Sequence, residues 1–248
     1  MTNAALTGRH ALVTGGSRGI GAGIVRRLTA DGAAVAFTYS ASKAEADDLV
    51  AEVTANGAKA VAIQADAGDP AQTAAAVDTA AAELGGLNVV VNNAAIIYKI
   101  PVGEFTQEQY DRLVAINISG PFWTVHSALK HLGQGARIIN IGSINADRVP
   151  VSELSAYAMT KGALSSFSRG LARDLGPRGI TVNNVQPGPI STDMNPDGGD
   201  FAEELKKVTA LGRYGQTSEV AALVSFLAGS ESSYITGANL NVDGGHNV

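Results

Sequence analysis

The chain has 248 residues, of which 45% are hydrophobic and 17% charged, so it can form a sizeable core and is not a disordered chain. The formal net charge of -5 gives no reason to expect nucleic acid or an anionic membrane as a partner. The absence of cysteine excludes disulfides, thiolate nucleophiles and zinc–thiolate sites. No signal peptide or membrane-spanning run is recognisable, so we expect a cytoplasmic protein with no membrane partner.

The first predicted elements are a short strand, a glycine-rich loop and a helix. His10 to Thr14 is an apolar run that leads directly into Gly15, Gly19 and Gly21, and apolar residues then recur at helical spacing up to Asp31-Gly32. Glycines in this context let a pyrophosphate approach the backbone at a helix N-terminus. The sequence therefore predicts a dinucleotide site, although the glycine spacing differs from G-x-G-x-x-G.

The end of the second predicted strand, 33–39, indicates which dinucleotide binds. An acidic residue near this point would hold the ribose 2′-hydroxyl of NAD, but the strand ends Tyr39-Ser40 without Asp or Glu. Arg18 in the glycine loop, and Ser42 and Lys43 beyond the strand, provide a cation and hydroxyls that suit a 2′-phosphate. We therefore expect NADP(H) as the cofactor.

Strands and helices then alternate along the chain. The pattern predicts helices at 42–55 and 70–84 and strands at 60–65 and 87–91. Such repeated units predict an α/β fold, a doubly wound parallel sheet with helices on both faces. Ligands bind beyond the carboxyl ends of the strands, where Asp66 and Asn93 fall. Asp66 has the alternative role of capping the next helix.

A long helix is predicted at 106–132, followed by a strand at 136–141 that leads to Ser143. Because Pro121 has no N–H for the carbonyl of Asn117, we expect a kink and a free carbonyl that needs a partner such as water. The loop 144–154 offers candidate substrate contacts, namely Asn145, Arg148, Val149 and Val151. No Gly-x-Ser-x-Gly surrounds Ser143, and none of the four histidines suggests a triad.

Tyr157 and Lys161 stand four residues apart on a predicted helix that ends at Gly176-Pro177, where we expect a left-handed C′ glycine. A lysine cation about 4 Å from a phenol is worth about 4 kcal/mol at an effective dielectric constant of about 20. We therefore expect Lys161 to lower the pKa of Tyr157 towards the working pH. A tyrosine tuned in this way can donate a proton to a developing alkoxide or take one from an alcohol.

The remaining chain predicts a strand at 180–185, helices near 201–209 and 218–228, and a last strand at 238–242. The segment 189–210 begins rich in Gly, Pro, Asn and Asp, which predicts a flap over the same sheet edge. No linker or repeat divides the chain, so we expect one dinucleotide-binding and catalytic domain over 1–248, with no metal site.

In combination, these motifs resemble the short-chain dehydrogenase/reductase family over essentially the whole chain. The matching residues are Thr14-Gly15-x-x-x-Gly19-x-Gly21, Asn92-Asn93-Ala94, Asn117, Ser143, Tyr157-x-x-x-Lys161 and Pro187-Gly188. The resemblance implies a single-domain Rossmann-like sheet of about seven strands, in a homotetramer or homodimer. Ala95 departs from the glycine that the family often has, so we expect an adjustment near the cofactor or substrate and no loss of binding.

The resemblance also implies residue roles. Tyr157 would be the general acid and base, Ser143 would orient the carbonyl oxygen, and Lys161 would bind the nicotinamide ribose and lower the pKa of Tyr157. Asn117 would hold a water that links Lys161 to solvent. Expected cofactor contacts are Gly15, Ser17, Arg18, Gly19, Ile20, Gly21, Tyr39, Ser40, Asp66, Ala67, Asn93, Tyr157, Lys161, Pro187, Gly188, Ile190 and Thr192. Expected substrate contacts are Asn145, Val149, Gly188 and Met194.

The expected activity is the reversible, NADPH-dependent reduction of a small ketone or ketoester to a secondary alcohol. The chain is similar to carbonyl reductases of small ketones and to ketoacyl-carrier-protein reductases. Lys130, Arg169 and Arg173 offer part of the basic patch that an acidic carrier would need, but 130–134 is weakly basic. The alternatives are a 3-oxoacyl-carrier-protein or thioester reductase, a non-catalytic dinucleotide-binding sensor or scaffold, and a sugar-nucleotide epimerase or dehydratase, for which little C-terminal chain remains.

Overall fold

Seven parallel strands form one sheet in the computed structural model, which describes residues 5–248. The first four residues of the predicted domain lie outside the described residues. The strands are β1 His10–Val13, β2 Ala34–Tyr39, β3 Ala60–Gln64, β4 Val89–Asn92, β5 Arg137–Ile141, β6 Thr181–Pro187 and β7 Asn239–Val242. Their order across the sheet is β3-β2-β1-β4-β5-β6-β7. The predicted α/β class and the number of strands are confirmed.

Eight α-helices lie within the described residues, and six of them cover the two faces of the sheet. The eight are α1 Gly19–Ala30, α2 Lys43–Ala55, α3 Pro70–Leu84, α4 Gln107–Val114, α5 Gly120–Ala128, α6 Ser155–Leu175, α7 Asp200–Lys207 and α8 Thr217–Ala228. Buried residues of α1, α2 and α8 form one core with the sheet, and residues of α3, α5 and α6 form the other. This is the doubly wound arrangement that the alternation of strands and helices predicts.

The central strands are apolar on both sides because each faces two cores. In β1, Val13 packs into the core of α1 and α8, whereas its neighbour Leu12 packs into the core of α3 and α5. In β4, Val91 and Val90 divide in the same way. Alternate side chains of a strand point to opposite faces, so a strand covered on both faces is an unbroken apolar run.

The predicted long helix at 106–132 is a continuous helical run over 107–128, with a π-helical turn inside it and an earlier end. The structure has α4, then a π-helical turn at Ala115–Ser119, then α5. Pro121 is near the start of α5, and the N–H of Gly120 donates to the carbonyl of Ala115, five residues earlier. Because proline has no N–H, the chain enters α5 through a wider turn in place of a simple kink.

The left-handed glycine that follows α6 differs from the prediction. Gly176 is in the right-handed helical region and begins a short 3-10 turn, and the left-handed residue is Gly179, with φ of 69°. The α-helix therefore ends at Leu175, where the Gly176-Pro177 pair predicts its end, but the left-handed glycine comes three residues after Gly176.

None of the helices within residues 5–248 is long and apolar enough to cross a membrane. The same residues contain no group of three or more metal-ligating side chains that could hold a metal ion.

Candidate active site

A cavity of about 510 Å³ lies at the carboxyl edge of the sheet, where the strand order reverses between β1 and β4. Ligands of doubly wound sheets bind at this kind of switch point. The cavity lining includes every cofactor contact that the resemblance implies, and also Ser143, Asn145, Gly188 and Met194. Four predicted site residues are not part of the lining: Lys43, Arg148, the exposed Val149, and the buried Asn117.

The glycine loop closes the cavity at the start of α1. Gly15 has φ of 63°, and a Cβ on Gly21 would lie 2.2 Å from the carbonyl oxygen of Gly15. No side chain caps α1, whose first residue is Gly19. The uncapped N–H groups of a helix terminus and the positive end of the helix dipole suit the phosphates of a dinucleotide. The loop therefore fits the group that the sequence predicts.

Asn93 joins β4 to the glycine loop. Its side-chain amide donates to the carbonyls of Thr14 and Gly15, each at 2.9 Å. The Thr14 hydroxyl accepts from the backbone N–H groups of Asn93 and Ala94 at 3.0 and 3.1 Å. These bonds keep the loop in its tight turn, and Ala95, the departure from the family pattern, lies next to them in the cavity lining.

The predicted 2′-phosphate site is formed by Arg18 and the end of β2. Ser40 and Ser42 line the cavity there, as does Arg18. The Arg18 guanidinium donates to the carboxylate of Asp193 at 2.7 Å, and both side chains are about half exposed. Lys43 is outside the cavity lining and pairs with Asp47 in α2, so it is not part of this group.

Arg112 holds Asp66 in the cavity wall, a pairing that sequence analysis missed. The guanidinium donates to both carboxylate oxygens, at 2.8 and 3.0 Å, and the N–H of Gly68 donates to the same carboxylate at 2.8 Å. These bonds hold the pKa of Asp66 below its usual value, with the Arg112 hydrogen bonds as the largest cause. Asp69, and not Asp66, caps α3.

Tyr157 and Lys161 share one face of α6, as their spacing predicts. The Lys161 ammonium is 5.6 Å from the centre of the Tyr157 ring and donates to the carbonyl of Ile141 at 2.8 Å. Ser143, at the end of β5, shares a hydrogen bond with the Tyr157 hydroxyl. The Ser143 hydroxyl also donates to the Asn145 side chain at 3.0 Å. Three of the four predicted catalytic side chains therefore meet at one point of the cavity.

The pKa of Tyr157 differs from the expectation based on charge alone. Burial raises it to about 12, and the hydrogen bond with Ser143 opposes this only in part. Burial likewise lowers the pKa of Lys161 to about 8. The expectation considered the attraction between the phenolate and the cation and left out the desolvation of each, which is the larger effect in the protein alone.

Asn117 is in the π-helical turn and is 2% exposed. Its side-chain oxygen accepts from the N–H of Ile96 at 2.9 Å, and its amide donates to the carbonyl of Ile96 at 2.9 Å and to Thr160 at 3.1 Å. Asn117 therefore joins the loop after β4 to α6 beside Tyr157. Its predicted role in holding a water stays a prediction.

Two more features of the cavity were missed by sequence analysis. The Lys99 ammonium is 4.5 Å from the ring centre of Phe201, so the loop after β4 contacts α7 in the predicted flap. His246 also lines the cavity, although it is only two residues from the end of the chain. The available signal for His246 was its position after β7, since that strand also ends at this edge of the sheet.

Comparison with known proteins shows the family to which the chain belongs. The family model for enoyl-(acyl carrier protein) reductase matches residues 15–247. A short-chain dehydrogenase/reductase from Serratia marcescens is 49% identical, with a TM-score of 0.97 over 98% of this chain and 100% of that one. The chain therefore belongs to the short-chain dehydrogenase/reductase family of oxidoreductases, as the motifs indicate.

The descriptions of two other relatives name a nucleotide ligand. A short-chain dehydrogenase from Burkholderia cenocepacia J2315, solved with NADP, is 47% identical, with a TM-score of 0.96 over 98% of this chain and 100% of that one. A cyclic-di-GMP-binding biofilm dispersal mediator protein from Escherichia coli K12 is 46% identical over 240 residues, which are 97% of this chain and 98% of that protein.

Proposed function

We propose that this protein is an NADPH-dependent reductase that converts a small ketone or ketoester to a secondary alcohol, in a reversible reaction. The observation that carries the proposal is the meeting of Ser143, Tyr157 and Lys161 in a cavity that the glycine loop also lines. A proton donor and a dinucleotide site in one cavity suit carbonyl reduction better than binding alone.

NADPH bound by the glycine loop would supply a hydride for the carbonyl carbon, and the protein supplies the proton. Because burial raises the pKa of Tyr157 to about 12, its hydroxyl is protonated at neutral pH and can donate its proton to the carbonyl oxygen. Ser143, already hydrogen-bonded to Tyr157, orients that oxygen. Lys161 has a pKa of about 8, so it is mostly charged at neutral pH and stabilises the phenolate that remains.

NADPH is the proposed cofactor because a cation is placed where an acidic residue would favour NADH. Arg18 and two serines line the cavity beyond β2. The NADP-bound relative from Burkholderia cenocepacia supports the same choice. Arg18 can exchange its exposed partner Asp193 for a phosphate at small cost, since exposed ion pairs contribute little.

A free ketone is favoured over a substrate on a carrier protein. Lys130 and His131 both pair with the carboxylate of Asp78, at 2.7 and 2.8 Å. Arg169 donates to Ser165 and Ser166 on its own helix. The basic patch that an acidic carrier would need is therefore partly neutralised, although reduction of a carrier-bound or other thioester stays the alternative.

The proposal predicts that Tyr157→Phe loses turnover while keeping the fold and the affinity for NADPH. Loss of the proton donor lowers kcat by about a hundredfold or more. The measurement is NADPH oxidation over a panel of ketones, β-ketoesters and a ketoacyl thioester, with NADPH binding followed by fluorescence titration. Tyr98→Phe, which also removes a phenol but is outside the cavity lining, is the control. Full activity of Tyr157→Phe would show that the proton comes from another group.

A second candidate function is the binding of a cyclic dinucleotide without catalysis. It is favoured by the name of the Escherichia coli relative, which is 46% identical. In the same titrations, cyclic-di-GMP is added to the NADPH-bound protein. Displacement of NADPH, together with no turnover of any carbonyl in the panel, would favour this candidate and overturn the reductase. Turnover without displacement would exclude it.

Two structural expectations belong to the same proposal. We propose that the protein is a homotetramer or homodimer, and that the segment 189–210 is a flap over the cavity. The flap proposal is supported by Ile190, Thr192 and Met194 in the cavity lining, and by Phe201 in α7, which contacts Lys99 across the cavity mouth.

A further inference from the structure

The last six residues are held firmly against the cavity. The Asp243 carboxylate accepts hydrogen bonds from the N–H groups of Gly245 and Asn247, each at 3.0 Å. Leu211 donates its N–H to the carbonyl of Gly244 at 3.0 Å. The segment is therefore tied both to itself and to the chain that follows α7.

Arg148 connects this segment to the substrate loop. Its guanidinium donates to the backbone carbonyl of His246 at 2.7 Å. Arg148 belongs to the same loop as Asn145, which contacts Ser143. His246 itself is 1% exposed and lines the cavity, so its ring is buried and fixed beside the space that a substrate would occupy.

The hydrogen bonds around His246 determine its tautomer. The Thr209 hydroxyl donates to the carbonyl of Leu205 at 2.7 Å, and a hydroxyl has only one hydrogen. The same oxygen is 2.9 Å from Nδ1 of His246. With the hydroxyl hydrogen on the Leu205 carbonyl, Nδ1 carries the ring hydrogen and donates to Thr209. Burial and the nearby Arg148 lower the pKa of His246, with Asp243 opposing them, which leaves the ring neutral at neutral pH.

A neutral imidazole protonated at Nδ1 has an unprotonated Nε2, which is a hydrogen-bond acceptor. Within residues 5–248, no group forms a hydrogen bond with this nitrogen. It is also not one of the fully buried polar atoms that lack a partner. The cavity lining also includes the apolar residues Pro150, Val151 and Leu154 of the loop that contains Arg148. When a ligand covers such an acceptor and does not donate a hydrogen bond to it, the acceptor loses its contact with water and the binding free energy becomes less favourable.

We infer that His246 is a specificity-determining residue, whose Nε2 accepts a hydrogen bond from a hydroxyl group of the substrate remote from the reacting carbonyl. The inference rests on the proposed reductase function and narrows its substrate class to hydroxylated ketones. A site that pairs a substrate hydroxyl discriminates against the analogue that lacks it, because that analogue leaves the acceptor unpaired.

Two substitutions of His246 distinguish the role of Nδ1 from the role of Nε2. In His246→Asn, the side-chain amide takes the position of Nδ1 and can still donate to Thr209, but nothing replaces Nε2. In His246→Gln, the longer side chain places an amide oxygen near the position of Nε2 and keeps an acceptor there. The Asn variant is therefore expected to lose the discrimination, and the Gln variant to keep part of it.

The test compares α-tetralone with its ring-hydroxylated isomers as substrates, with NADPH, for the wild-type protein and both variants. The wild-type protein is expected to prefer at least one hydroxylated isomer by about tenfold in kcat/KM, as for one neutral hydrogen bond. In His246→Asn the ratio is expected to fall to about one. Equal ratios in the wild-type and Asn proteins, or a similar loss in the Asn and Gln proteins, would overturn the inference.

Calorimetric titration of the same ketones into the NADP⁺-loaded proteins separates this inference from the proposed function. Tighter binding of a hydroxylated isomer to the wild-type protein than to His246→Asn, without turnover, would support the role of His246 and contradict the reductase. Turnover without any such preference would support the reductase and overturn the inference. The absence of both turnover and binding would overturn the role of His246 for this class of ketones. Thermal unfolding of each variant verifies that it is folded.

Discussion

Single residues in this site show how burial can reverse a conclusion drawn from spacing. The four-residue interval placed Tyr157 and Lys161 on one face of α6, and the structure agrees. The pKa of Tyr157 is raised in the structure, whereas the spacing predicts that it is lowered. The spacing gives the distance between the two side chains but does not show how much hydration each loses on burial. Arg112 was missed for a related reason, since its partner Asp66 is 46 positions away in the chain.

Lys161 gives a prediction about stability and pH. Its pKa is 10.5 in the unfolded chain and about 8 in the folded one, so the unfolded state binds the proton more tightly. Burying the charged form therefore costs stability at neutral pH, and this cost declines as the pH rises from about 8 to 10.5. Lys161→Met has no such cost. Its free energy of unfolding relative to wild type is expected to fall by about 2 kcal/mol between about pH 7 and pH 9.5.

The measurement is urea unfolding of both proteins at the two pH values. Lys43→Met, which removes an exposed lysine paired with Asp47, is the control and is expected to keep a constant difference from wild type. A pH-independent difference for Lys161→Met would mean that the lysine has an ordinary pKa in the folded protein.

At the scale of elements, the strand–helix order was readable from the sequence, and the joins between elements were not. Strands β1 to β4 are short apolar runs that end at polar residues, which apolar patterning reveals, whereas β6 and β7 contain several Asn and Gln residues. The π-helical turn between α4 and α5 includes a hydrogen bond from the N–H of Gly120 to the carbonyl of Ala115, which apolar periodicity does not reveal. The left-handed glycine after α6 is Gly179, whose N–H donates to the carbonyl of Gly176, and the sequence pattern does not reveal this bond either.

The contact between the glycine loop and the segment before α7 gives a prediction about cofactor choice. Arg18 pairs with Asp193, and the same guanidinium is the proposed partner of the 2′-phosphate. Arg18→Ala is expected to raise the KM for NADPH by about tenfold to a hundredfold, as for a lost charge-assisted hydrogen bond, and to change the KM for NADH little. Asp193→Asn removes the competing carboxylate and is expected to lower the KM for NADPH.

Initial rates with each cofactor check these values. Arg26→Ala is the matched control, because Arg26 forms a similar half-exposed ion pair, with Glu52 in α2, and is not part of the cavity lining. An equal rise in KM for both cofactors in Arg18→Ala would indicate that Arg18 contacts a part of the dinucleotide that NADH and NADPH share.

At the scale of the whole molecule, the sequence specified one sheet with two covered faces, but it left open which apolar residues remain on the surface. An apolar residue of α5 or α6 can pack either in the core of its own chain or against another chain. The structure divides these residues: Val125 and Leu164 are buried, whereas Phe122 and Trp123 are 46% and 36% exposed. Phe122 and Trp123 contact one another edge to face, and Phe122 is 6.0 Å from Phe167 of α6.

This exposed aromatic group on α5 argues for the proposed assembly. Aromatic rings bury large areas, and clustered exposed rings are typical of contact surfaces between proteins. We expect light scattering at micromolar concentration to give the mass of a dimer or tetramer. The double variant Phe122→Ser/Trp123→Ser is expected to shift the mass towards the monomer, whereas Tyr234→Ser, at a fully exposed aromatic outside this face, leaves it unchanged. A monomeric wild-type protein would contradict the assembly, and an unchanged double variant would place the interface on another face.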